Sequence, residues 1–120
     1  KVLVLGLTFK ENVGDIRNTK VVDIISELNE YMVETMIYDP FASAAEVRHE
    51  YGLEILPSLA ALPPVDAVIL AVPHEKFIKE LTLDKLAGFC GKDSPPVIID
   101  IKGVFEPQTA TKQGIRYWRL

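Results

Sequence analysis

The sequence predicts an α/β protein built on a doubly wound, mainly parallel sheet of five to six strands with helices on both faces. Short apolar runs recur along the 120 residues, separated by stretches of helical periodicity. Those runs are continuous, as strands covered on both faces are, and do not alternate with polar residues. Pro, Asp and Gly stand where the runs stop, so each strand has a defined end.

Val2 to Leu5 is the first such run. The segment Asn18 to Tyr31 places Val21, Ile24, Ile25 and Leu28 on one helical stripe, with Asn18 or Thr19 available as its cap. Val33 to Tyr38 reads as a second strand, stopped by Asp39-Pro40 because proline lacks the N–H and turns its predecessor away from helix. A polar helix is expected over Ala42 to Tyr51, a short third strand over Leu53 to Leu56, and a helical turn over Ser58 to Leu62 before the break at Pro63-Pro64. Asp66 to Val72, "DAVILAV", is the strongest buried strand. Helical turns follow at Glu75 to Leu81 and Leu83 to Phe89, then a fifth strand at Pro96 to Ile101 and a short sixth at Ile115 to Trp118, on an edge. With right-handed crossovers this is a Rossmann-like unit, one domain over residues 1–120.

Composition narrows the function classes. A net charge of −4 with no cluster of Lys and Arg argues against a nucleic-acid partner. A single cysteine, Cys90, leaves no internal disulfide and no cysteine-based metal site, and suits a reducing cytoplasm. No apolar run is long enough to span a membrane. Lys1 leads straight into the first strand without an initiator methionine, so the chain is expected to be a piece of something longer.

In doubly wound sheets ligands meet the carboxyl ends of the strands. Phe9, Lys10, Asp15 and Arg17 follow the first expected strand, Asp39 the second, His74 the fourth, and Asp100 and Lys102 the fifth. Lys10 and Lys102 converge on one anion if the first, fourth and fifth expected strands are neighbours. Lysine offers a point charge, arginine a planar fork for phosphate oxygens, and Phe9 an apolar face, a set suited to a phosphorylated ligand that carries a ring. Each has an ordinary reading too. An isolated lysine is usually solvated, Arg17 has Asp15 or Glu11 to pair with, Asp39 can serve the Asp-Pro turn alone, and His74 can simply start a helix. Cys90 reads as a buried apolar filler, and nothing pairs it with a histidine for nucleophilic catalysis, so no catalytic residue is assigned.

Three segments, "GLTFKENVGDIRNTKVVDII" (6–25), "YDP" (38–40) and "IIDIKGVF" (98–105), resemble the carboxy-terminal domain of the UDP-glucose/GDP-mannose dehydrogenase family across essentially the whole chain. The "KEN", "DIRNTK" and "DIKG" elements are more similar to the members acting on UDP-N-acetylhexosamines than to the glucose enzymes, which usually carry Arg in place of Lys102. Val13-Gly14 departs from the Cys-Pro those members often have. The resemblance implies an NAD-dependent oxidation of a sugar C6 alcohol to a carboxylate through a thiohemiacetal on a cysteine that lies outside this chain, in synthesis of a polysaccharide precursor. It implies that Phe9, Lys10 and Lys102 contact the nucleotide sugar and that Arg17 reaches toward NAD held mainly by an amino-terminal domain. It further implies a central segment that forms a homodimer or higher assembly, and a chain inactive by itself. Two other readings stay open: a module that binds NAD itself, with Asp39 on the ribose hydroxyls, and a purely structural or interaction domain. The missing second and third glycines of a G-x-G-x-x-G loop weigh against the first.

Overall fold

The computed structural model describes residues 1–120. Five strands, β1 (Val2–Leu5), β2 (Thr35–Tyr38), β3 (Ala67–Leu70), β4 (Val97–Asp100) and β5 (Arg116–Arg119), form one parallel sheet in the order β2-β1-β3-β4-β5. The chain winds outward from β1 to β2, returns to β3 on the other side of β1, and continues to β5. The strand order therefore reverses between β1 and β3, where such sheets open a crevice at their carboxyl edge.

Alternate residues of each central strand face opposite layers. Leu3, Leu5, Val68, Leu70 and Ile98 pack on one face with Phe77, Leu83, Leu86 and Ala110. These come from α3 (Glu75–Glu80), α4 (Leu83–Gly88) and α5 (Pro107–Lys112). Val2, Val4, Ile37 and Ile69 pack on the other face with Val21, Ile25 and Val47, from α1 (Val21–Glu30) and α2 (Ala44–Tyr51). Burial on both sides explains why β1 and β3 read as unbroken apolar runs. Local signals fix the helix ends. Ser43 Oγ accepts from the Glu46 amide at 3.3 Å to start α2, Gly52 (φ 66°) ends it, and Thr82 Oγ1 accepts from the Lys85 amide at 3.2 Å to start α4.

The structure corrects three expectations and adds one helix. Leu53 to Leu56 is no strand: only Ile55 bridges to Ile37, and Pro57, lacking an N–H, ends the pairing there. Ser58 to Leu62 forms a bend and turn in place of a helical turn, hemmed in by Pro57 and Pro63. Neither Asn18 nor Thr19 is the N-cap of α1: that position is Lys20, Asn18 is left-handed (φ 60°), and Thr19 Oγ1 accepts from the Val21 amide at 3.2 Å from one residue farther back. The added helix is α5, which opens on Pro107 at its first position, a recognised start signal. The expected edge strand is present as β5, shifted by one residue. No helix is long and apolar enough to cross a membrane.

Candidate functional site

Gly6 decides how closely the two strand ends flanking the crevice approach. Its φ is 95°, and a Cβ there would lie 2.6 Å from the Val72 side chain and 2.7–2.8 Å from the Val72 backbone. Leu5 C=O accepts from the amides of Ala71 and Val72 at 2.9 and 3.2 Å, so the loops after β1 and β3 run side by side. The lone glycine is thus committed to strand-end packing and leaves no bare backbone to cradle a pyrophosphate.

Beyond Gly6 the chain makes an arch with no regular structure but many fixed points. The Phe9 amide donates to Asp15 C=O at 2.7 Å, and Thr8 Oγ1 donates to Lys10 C=O at 3.0 Å. Asn12, left-handed at φ 63°, accepts from the Glu75 amide through its side chain at 2.7 Å and so satisfies the first turn of α3.

A cleft of about 410 Å³ opens over this arch at the reversal between β1 and β3. Phe9, Lys10 and Glu11 line it from the loop after β1, Ala71 and Val72 from the loop after β3, and Ile101 and Lys102 from the loop after β4. Thr19, Lys20, Val21 and Ile24 close it from the start of α1. Its size lies within the roughly 300–1,000 Å³ of small-molecule sites. Phe9, Lys10 and Lys102 are therefore brought together, because β1, β3 and β4 are neighbours. A third cation, Lys20, joins them, and sequence reasoning missed it: at a helix start its apolar neighbours give no sign that its side chain faces the strand ends. None of the three lysines forms an ion pair with a carboxylate. Three ammonium groups outside any ion pair, against the one carboxylate of Glu11, over apolar walls suit a ring-bearing anion.

Lys102 owes its place to Asp100. That buried carboxylate accepts from the Gly103 amide at 2.9 Å, the Phe105 amide at 3.0 Å and the Tyr117 hydroxyl. Burial and the Asp100 charge push the Tyr117 phenol up to about 12. Asp100 faces inward and shapes the loop; Lys102 stands exposed at its tip.

Arg17 lies apart from this set. It borders a second concavity of about 610 Å³ together with Asp15, Glu46, His49 and Glu50, and its Nε donates to Asp15 Oδ1 at 3.1 Å. Hydrogen bonding from Arg17 holds the Asp15 carboxyl below its ordinary value. The pair is exposed, and with three carboxylates on its rim this larger hollow repels a phosphate.

Asp39 and His74 are fully buried against each other, His74 Nε2 lying 2.9 Å from Asp39 Oδ2. The same oxygen accepts from the Leu7 and Thr8 amides at 2.7 and 3.1 Å, and Oδ1 accepts from the Phe41 amide at 2.8 Å. Burial pushes this carboxyl up, but the bonds from His74, Leu7 and Phe41 outweigh it and hold it below its ordinary value. Asp39 therefore ties the loops after β1, β2 and β3 together, with no face free for a ribose. His74 does start α3, as its N-cap. Cys90 packs in the core beside Leu86, and burial raises its thiol.

Comparison with known proteins points one way. The family described as "UDP-glucose/GDP-mannose dehydrogenase family, UDP binding domain" matches residues 3–107. The chain is 46% identical over 103 residues to the UDP-N-acetyl-D-glucosamine 6-dehydrogenase of Salmonella typhi, covering 86% of this chain and 23% of that protein. Over 79 residues it is 51% identical to the Pseudomonas aeruginosa enzyme of the same name, covering 64% of this chain and 18% of that protein. The crystal structure of an NDP-N-acetyl-D-galactosaminuronic acid dehydrogenase from Methanosarcina mazei Go1 superposes with a TM-score of 0.82 at 25% identity, over 99% of this chain and 24% of that one. The chain thus spans about a quarter or less of the length of these relatives.

Proposed function

The chain belongs to the UDP-glucose/GDP-mannose dehydrogenase family as its UDP binding domain, and from that membership we propose that it holds the nucleotide sugar of an NAD-dependent UDP-sugar 6-dehydrogenase in the cleft of Lys10, Lys20 and Lys102. The convergence of these lysines, unpaired, at the reversal between β1 and β3 is the observation that carries the reading. Lys10 and Lys102 bind the diphosphate oxygens as point charges, Lys20 adds a third, and Phe9 with Ile101 offers apolar contact to the uridine. The substrate is a UDP-N-acetylhexosamine: identity is 46–51% to enzymes named for UDP-N-acetyl-D-glucosamine, against 26% to the UDP-glucose 6-dehydrogenase of Rickettsia prowazekii.

NAD supplies the hydride acceptor of such a reaction. This chain's own residues do not fit its pyrophosphate, since Gly6 is filled by Val72 and no further glycine follows in that turn. What the chain offers the cofactor is Arg17, exposed and away from the cleft, in a parent enzyme whose other domains carry NAD and the nucleophile.

Kinetics of the longer dehydrogenase test these assignments. Lys10→Ala and Lys102→Ala are each expected to weaken UDP-sugar binding about ten- to hundred-fold, the effect of losing roughly 1.5–3 kcal/mol of charged hydrogen bonding. Arg17→Ala is expected to raise the KM for NAD and leave that for the sugar within about twofold. Unchanged sugar affinity in both lysine variants would return them to the solvated surface.

A further inference from the structure

His74 makes no direct contact with the cleft, because its ring is buried beneath the arch. We propose that His74 is a positioning residue for the nucleotide-sugar site, a neutral imidazole that holds both feet of the arch carrying Phe9 and Lys10. The inference rests on reading the lysine cleft as the UDP site.

The hydrogen-bond directions fix the tautomer. The Asn12 amide donates to Nδ1 at 2.9 Å, so Nδ1 carries no proton and Nε2 does. Nε2–H points to Asp39 Oδ2 at 2.9 Å, with Thr8 Oγ1 3.3 Å away. The Thr8 hydroxyl spends its proton on Lys10 C=O, which leaves its oxygen free to accept. One ring nitrogen thus meets Thr8 and the other meets Asn12, and the residues between them include the two predicted to face the ligand. Phe41 and Phe77 flank the ring at centroid distances of 4.6 and 5.4 Å, and Asp39 fastens it from below, so the ring has no freedom to turn. An arch without helix or sheet gains a fixed shape only from such points. Without them, the ligand would have to order Phe9 and Lys10 as it binds, and affinity falls by that cost.

A double-mutant cycle on UDP titrations of the chain tests this. His74→Gln keeps an N–H for Asp39 and removes the acceptor at the Nδ1 position. It is expected to weaken UDP binding about tenfold and to speed amide exchange at Asn12. If His74 acts through the arch, its effect shrinks to about threefold or less in a Lys10→Ala background and stays about tenfold in Lys102→Ala. Equal loss in all backgrounds, or none in the wild-type background, overturns the proposal. Should His74→Gln not fold, His74→Asn serves, since its side-chain oxygen takes the Nδ1 position and keeps an acceptor for the Asn12 amide while the Nε2 contacts are lost. It is expected to bind UDP within about threefold of wild type, and a loss of about tenfold or more overturns the proposal. If neither Lys10→Ala nor Lys102→Ala alters UDP affinity, the cleft reading itself has failed. If both do while His74→Gln does not, only the positioning role has failed.

Discussion

Asp39 and Lys102 both stand at the carboxyl ends of strands in the same parallel sheet, and the fold treats their charges in opposite ways. Asp39 is buried and accepts four hydrogen bonds, from Leu7, Thr8, Phe41 and His74. Lys102, with Lys10 and Lys20, is exposed and has no ion-pair partner. A satisfied buried charge is a structural bolt, whose removal leaves amides and an imidazole orphaned in the core. Unpaired cations around a cleft contribute nothing to folding and repel one another slightly; under the proposed function their partner arrives with the ligand. On that reading stability and binding are divided between adjacent loops.

That division is broken most forcefully at Asp39. Asp39→Ala is expected to cost about 3–5 kcal/mol of unfolding free energy, the range for removing one partner of a buried pair, measured by urea denaturation at neutral pH. Lys10→Ala, by contrast, is expected to change stability by less than about 0.5 kcal/mol, as surface substitutions do, so the two losses fall on different axes. A stability loss at Lys10 comparable to that at Asp39 would erase the distinction.

Acid gives a smaller effect and a check on sign. The folded Asp39 carboxyl titrates below its ordinary 3.8, so its contribution is present in full above that value and is lost as pH falls through the lowered one. Denaturation curves should show stability declining below about pH 4. In Asp39→Asn, less stable at neutral pH, that acid decline should be shallower. A decline of equal slope in the variant would assign the acid sensitivity to other carboxylates.

Much of this division was legible in the sequence. Continuous apolar runs betrayed β1 and β3, and the rule that ligands meet strand ends gathered Phe9, Lys10 and Lys102 together with Asp15, Arg17, Asp39, His74 and Asp100, of which Phe9, Lys10 and Lys102 line the cleft while Asp39, His74 and Asp100 are buried. Arg17 pairing with Asp15 was one of its stated alternatives, and the structure shows that pair. The part that escaped was non-local. Asp39 and His74 are 35 residues apart, and no periodicity announces that two polar side chains will meet in a dry interior. The signal that existed was "AVPH", a buried strand end running into a histidine at a helix start. Lys20 escaped for a different reason: it is the N-cap of α1, and only the folded crevice brings it beside Lys10 and Lys102. The third expected strand is reduced to the Ile55 bridge because Pro57 has no N–H to carry a ladder past Leu56.

Calorimetric titration of the chain with UDP and, separately, with NAD distinguishes a lysine-lined UDP site from a dinucleotide site. UDP is expected to bind saturably at one site, more weakly as salt rises because three exposed lysines supply the charge, with no comparable binding of NAD. Binding of NAD in preference to UDP, or no binding of either, would refute the lysine cleft as the UDP site.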